Sequence, residues 1–256
     1  MQAKTIPIIA FLLAVAISIT MDFTGYTFLS AYPLLAITLI FWFIQRQTKK
    51  EMGLVFGRLK FYILALLYPL IVLSATALIA YLAGDLSIGE FDESAVTLNL
   101  IVGVTLGPLV VLLTEEGFFR GWLWGAFRKA GFSAEKALWV TSILFVIWHI
   151  SAVTAESSYK LPFSQIPIYL INGLFIGLIW GTLRWASGSI IVASVCHAVW
   201  NTLAYMLFGF GENVGLLGVT NTALFGPEVG YLGILLNGLF FLWLWRITKN
   251  SRLRSS

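Results

Sequence analysis

Charge is scarce in this 256-residue chain. Only 11% of its residues are charged while 59% are hydrophobic, and the mean hydropathy is +0.90. Soluble domains carry about 25% charged residues, so a water-soluble globule is excluded. There is one cysteine, Cys196, which rules out a disulfide framework within the chain. There are only two histidines, His149 and His197, and the zincin spacing H-E-x-x-H is absent. The apolar runs do not alternate with polar residues, which argues against a transmembrane β-barrel.

What is present is a series of long apolar runs. Crossing the roughly 30 Å hydrocarbon core takes about 20 helical residues. Hydropathy places about eight such spans, near 6–21, 27–45, 61–83, 95–114, 137–152, 166–183, 188–207 and 229–245. The expected fold is therefore all-α, a polytopic transmembrane helical bundle. Lys4 followed by the run from Ile6 resembles a signal peptide. No small-residue cleavage site clearly follows, so it reads as the first span. No repeat or linker divides the chain, and residues 1–256 form one integral membrane domain.

The net charge of +4 could suggest nucleic acid, but its distribution points to topology. Cytoplasmic loops are enriched in Lys and Arg. The loop after the second span holds Arg46, Lys49, Lys50, Arg58 and Lys60. With that loop inside, alternation also puts Lys4, Arg128, Lys129, Lys136, Arg184, Arg246, Lys249, Arg252 and Arg254 inside. Only Lys160 falls outside. The outer loops hold Asp22, Asp85, Glu90, Asp92, Glu93, Glu156, Glu212 and Glu228. Both termini are expected in the cytoplasm, and anionic lipid accounts for the basic rim without a nucleic-acid partner.

Once loop charges are set aside, Glu115, Glu116, Arg120, His149 and His197 remain, within or at the cytoplasmic end of apolar spans. A charge at the bilayer centre costs at least about 2.5–3.5 kcal/mol on insertion scales, so such groups face the bundle interior and mark function. Glu116 and Arg120 are four apart and can pair on one helical face. Glu115 then points about 100° away, free to meet another helix, and His149 is its obvious partner. Lying near the cytoplasmic half, Glu115 would also have a route to water. His197 and Asn201 share a face of the seventh span and could hold an oxyanion. Blander readings stand beside these. Glu116–Arg120 could be a packing ion pair, His149 a hydrogen-bonded core residue, and His197–Asn201 an interhelical polar contact.

Other features carry less. Cys196 reads as a small core residue, because neighbours i,i+1 on a helix do not face each other. Pro108 is expected to kink the fourth span. Trp122, Trp124, Trp243 and Trp245 suit an interfacial aromatic belt. Ser189 and Ser194 have no base beside them in sequence.

Three motifs occur in order: Glu115-Glu116…Arg120, Phe145…His149 and His197…Asn201. In this the chain resembles the CPBP family (CAAX proteases and bacteriocin-processing enzymes, also called ABI), and is similar to the type II CAAX prenyl proteases. The resemblance covers roughly residues 105–205. It implies an intramembrane endopeptidase of glutamate type with its catalytic core there. Glu115 and His149 would activate water, and His197 and Asn201 would hold the oxyanion. Glu116, Arg120 and Phe145 would support them. The implied partner is a membrane-associated peptide or protein, prenylated CAAX or bacteriocin- or pheromone-like, in a prokaryotic plasma membrane. No cofactor is required. A metal-dependent version of the same protease is the alternative within enzymology, since two His and two Glu could ligate zinc. A proton-coupled transporter or a non-catalytic immunity protein are the alternatives outside it. Carriers usually show internal repeats and broken helix pairs, and neither is seen in the sequence.

Overall fold

The computed structural model describes residues 2–89, 91–155 and 159–253. Glu90, Glu156 and Arg254, expected in loops, lie outside the described residues, as do the side chains of Lys4 and Arg252. The helices are α1 (Gln2–Phe23), α2 (Pro33–Gln45), α3 (Lys49–Met52), α4 (Leu59–Leu82), α5 (Glu93–Thr105), α6 (Gly107–Leu113), α7 (Trp124–Lys129), α8 (Ala134–Thr154), α9 (Ile166–Ser187), α10 (Ile190–Phe208), α11 (Thr222–Phe225) and α12 (Tyr231–Leu253). A π-helical segment, Gly117–Leu123, joins α6 to α7. The described β-structure is a two-residue antiparallel ribbon, Gly209–Phe210 with Asn213–Val214. Seven helical stretches are long and apolar enough to cross a membrane among the described residues, and an eighth is made by α5 and α6, bent by 43°.

Local sequence sets the ends of these helices. Thr48 and Glu51 form a reciprocal capping box at α3, satisfying two backbone N–H groups that have no intrahelical partner. The side chains of Asp92, Ser133 and Ser189 accept from the first turns of α5, α8 and α10. Gly188 closes α9 in the left-handed conformation, where a Cβ would be strained. Pro108 stands at the start of α6, and the fourth span breaks there. Hydropathy gave one continuous run here and did not show the 43° bend between α5 and α6.

The bundle turns large apolar side chains outward. Phe43, Phe56 and Leu59 are each at least 75% exposed, as expected of a surface solvated by lipid. With no water to expel, helices associate through close packing and interhelical hydrogen bonds. One buried network shows this. Tyr68 Oη donates to Asn237 Oδ1 (2.8 Å), Asn237 Nδ2 donates to Asn172 Oδ1 (3.1 Å), and Asn172 Nδ2 donates to Gly230 O (3.2 Å). It ties α4, α9 and α12 together.

Charge separates the two ends. At one end Lys129 Nζ lies 3.4 Å from Glu51 Oε1. There Arg184 Nη2 also donates to Glu51 O at 3.1 Å. At the other end Asp85 accepts from Asn221 N (2.8 Å) and from Thr220 Oγ1, and Lys160 pairs with Glu212 at 3.0 Å.

Several expectations are corrected. The chain does not leave the bundle at residue 114. It stays helical through the π segment and α7 to Lys129, because Gly117–Leu123 is buried throughout. Glu115 therefore sits inside a helical path that continues to Lys129, not at the end of one. Trp122 and Trp124 are buried core residues, not belt residues, whereas Trp243 is exposed. Asp22 and Glu228, assigned to outer loops, are both buried.

Candidate active site

Thr114 breaks the backbone after α6 at φ −105°, ψ −99°, and the wide turn that follows aims the two glutamates differently. A Cβ on Gly117 would lie 2.5 Å from Leu112 O, so only glycine fits this turn. Glu116 and Arg120 pair at 3.1 Å, both fully buried, as their spacing predicts. Arg120 Nη2 also donates to Gly177 O (3.1 Å), and its guanidinium lies 4.1 Å from the Phe145 ring centroid. A Cβ at Gly177 would come within 3.1 Å of that Nη2, so glycine there leaves room for the guanidinium. Phe145 thus has a visible task, which is to roof the buried cation.

Glu115 faces the opposite way, toward both histidines. Its Oε2 lies 3.8 Å from His149 Nε2 and 3.9 Å from His197 Nε2. These gaps exceed a direct hydrogen bond, a separation at which a bridging water is the usual link. His149 Nδ1 faces Phe145 O at 2.8 Å. A carbonyl only accepts, so Nδ1–H donates to it and Nε2 is turned toward Glu115. His197 is held twice. Its Nδ1 donates to Glu116 Oε1 at 3.0 Å, and its ring stacks on Trp180 with centroids 3.6 Å apart. The Arg120–Glu116–His197 chain therefore orients the ring. Asn201, one turn further along α10, shares the same cavity of about 180 Å³ with Glu115, His149 and His197. All seven residues singled out from sequence converge around this cavity or brace its walls.

The bland features sort themselves as expected. Cys196 is fully buried, Ser189 caps α10, and Ser194 Oγ donates to Ile190 O (2.8 Å). Among the described residues no three His, Cys, Asp or Glu side chains form a metal-holding group.

The model of a family described as type II CAAX prenyl endopeptidase Rce1-like matches residues 97–203. That stretch is Rce1-like. It contains all three motifs, from Glu115 to Asn201, together with the bend between α5 and α6 and the π turn. No curated protein matches the chain. The Rce1-like segment and the apolar helices around it support an integral membrane protease acting on membrane-associated substrates.

Beyond the Rce1-like segment the structure brings one further acid to the site. Glu228 is buried on the cavity wall, where Trp200 Nε1 donates to its Oε1 at 2.5 Å. Sequence reading assigned it to a loop, because it follows α10 by twenty residues. Only the return of residues 222–230 beneath α10 carries it inward. A signal was available in Trp200, which is buried beside Asn201 and needs an acceptor for its indole N–H.

Burial pushes the Glu228 carboxyl up to about 7, partly offset by Trp200, His197 and Tyr205. An acid with a raised folded pKa binds its proton more tightly in the folded state. Stability should then fall as pH rises from about 4.5 to about 7, and level off above that. Glu228→Gln keeps an acceptor for Trp200 and removes the charge. It should raise the melting temperature at pH 8, by the equivalent of about 3 kcal/mol at most, and leave it unchanged near pH 4.5. Thermal melts of the purified protein at the two pH values check this.

Proposed function

We propose that this protein is a glutamate-type intramembrane endopeptidase of a prokaryotic plasma membrane. It is one integral domain with its catalytic core at about residues 105–205. Its substrate is a membrane-associated peptide, and prenylated CAAX, bacteriocin-like and pheromone-like peptides are the candidate classes that the family resemblance offers. The observation that carries this reading is the meeting of Glu115, His149 and His197 from three separate helices at one cavity.

Amide hydrolysis needs a base for water, donors for the oxyanion and an acid for the leaving amine. Glu115 takes a proton from a water that His149 Nε2 also holds, and the water oxygen attacks the scissile carbonyl carbon. As an imidazolium, steadied by Glu116 at Nδ1, His197 presents Nε2–H to the oxyanion, and the Asn201 amide is the second donor. Each such donor is worth about 2.7–4 kcal/mol. The proton on Glu115 then passes to the amine as the C–N bond breaks. Glu116, Arg120 and Phe145 keep the His197 ring in register.

Mass spectrometry of membrane fractions with the wild type against Glu115→Ala and His149→Ala tests the proposal. Peptide products should appear with the wild type and with neither variant. Full cleavage in both variants would sink it.

A further inference from the structure

The cavity is one-sided. Its wall includes Thr27, Phe28, Ser30, Tyr159, Phe210 and Glu228, all from segments that join helices at the end where Asp85 and Glu212 lie. Among the described residues, nothing on its wall comes from the loops of the opposite end, around residues 46–60, 124–136 or 184–189. Toward that basic end the path is filled. Phe118, Phe119, Trp122 and Leu123 of the π segment are fully buried. Arg184 Nε donates to Arg120 O (3.2 Å) directly behind the paired glutamate and arginine. At the open end the mouth is framed by aromatic rings in edge contact, Phe28 with Tyr159 (5.9 Å) and Phe210 with Tyr159, Tyr169 and Tyr205 (5.3–5.6 Å). His149 lies 6.5 Å beneath Tyr169.

The charge pattern orients this mouth. The basic end carries Arg46, Lys49, Lys50, Arg58, Lys129 and Lys136, which the positive-inside rule assigns to the cytoplasm. Lys160 is the lone described cation among the loops of the other end.

We infer that the active cavity opens to the extracytoplasmic face, and that its substrates are peptide segments presented from that side through the aromatic collar. This rests on the endopeptidase reading and narrows it to exported peptides or the outer portions of membrane proteins. Tails that remain in the cytoplasm, CAAX tails included, would meet the sealed end. Aromatic and aliphatic side chains suit the collar, since ring edges and faces offer apolar contact at the depth where one end of a Tyr stays wet.

Accessibility can be tested without knowing the substrate. The wild-type thiol, Cys196, is fully buried and sets the baseline. Ser30→Cys and Phe28→Cys place a thiol on the cavity wall, and Lys129→Cys places one at the basic end. A membrane-impermeant maleimide should label Ser30→Cys and Phe28→Cys in right-side-out vesicles, and label Lys129→Cys only in inverted ones. Labelling of both mouth variants only in inverted vesicles overturns the inference, as does failure of both to label on either face. Labelling reports access and peptide cleavage reports chemistry. Reversed labelling with Glu115-dependent cleavage intact therefore refutes the orientation alone. Correct labelling without cleavage refutes the endopeptidase reading and with it the substrate class.

Discussion

Glu115→Gln is expected to leave a folded protein whose hydrolysis is slower by about 10²–10⁴-fold, the usual contribution of a positioned general base. The amide has the shape of the carboxylate but cannot take a proton at neutral pH. Glu115 closes no ion pair with a permanent cation. Its neighbours are two imidazole nitrogens at 3.8 and 3.9 Å, and its side chain keeps 16% exposure to the cavity. Little packing is lost, so melting temperature and detergent elution profile should match the wild type. The loss should fall on kcat more than on KM, because the proton moves only in the transition state. A wild-type rate from the folded variant would remove Glu115 from the chemistry.

Arg120→Met should act in the opposite manner, through the fold. The guanidinium and the Glu116 carboxylate are fully buried against one another. Removing one partner of such a pair leaves a buried uncompensated charge and costs about 3–5 kcal/mol. The variant should melt well below the wild type. Glu116→Gln combined with Arg120→Met removes both charges and should recover much of that loss, since apolar replacement of a whole buried pair is often neutral or better. Activity should not return with stability. His197 would have exchanged a carboxylate at Nδ1 for an amide, and its imidazolium form would lose its counter-charge. A single variant as stable as the wild type would show that the ion pair does not hold this part of the bundle together.

The parts legible in the sequence are those governed by one-dimensional rules. Hydropathy located the spans, since lipid demands a long apolar run wherever the chain crosses, although it ended the last one at 245 where α12 runs on to Leu253. The i,i+4 spacing anticipated the Glu116–Arg120 pair, and the shortage of other intramembrane acids directed His149 toward Glu115. What was lost depends on local geometry or on return paths. Hydropathy ended the fourth span at Thr114, because the charged residues that follow look like loop. The structure keeps the chain helical there, with Glu116 and Arg120 paired in the interior. Trp122 and Trp124 looked interfacial for the same reason. Glu228 was invisible because a loop folding back beneath a helix leaves no periodic trace.

Helix α5 buries none of its side chains, and Leu98 and Ile101 are more than half exposed. It leans on α10 where Gly103 meets Thr202, so closely that a Cβ would come 2.3 Å from the hydroxyl. One flank of α5 is thus braced by the helix that carries His197 and Asn201, and the other by acyl chains. The surrounding amphiphile is in that sense a component of the folded enzyme. A short-chain detergent that wets this helix poorly would loosen it from α10 beside His197 and Asn201, and turnover measured in micelles would vary with chain length even though the chemistry were unchanged.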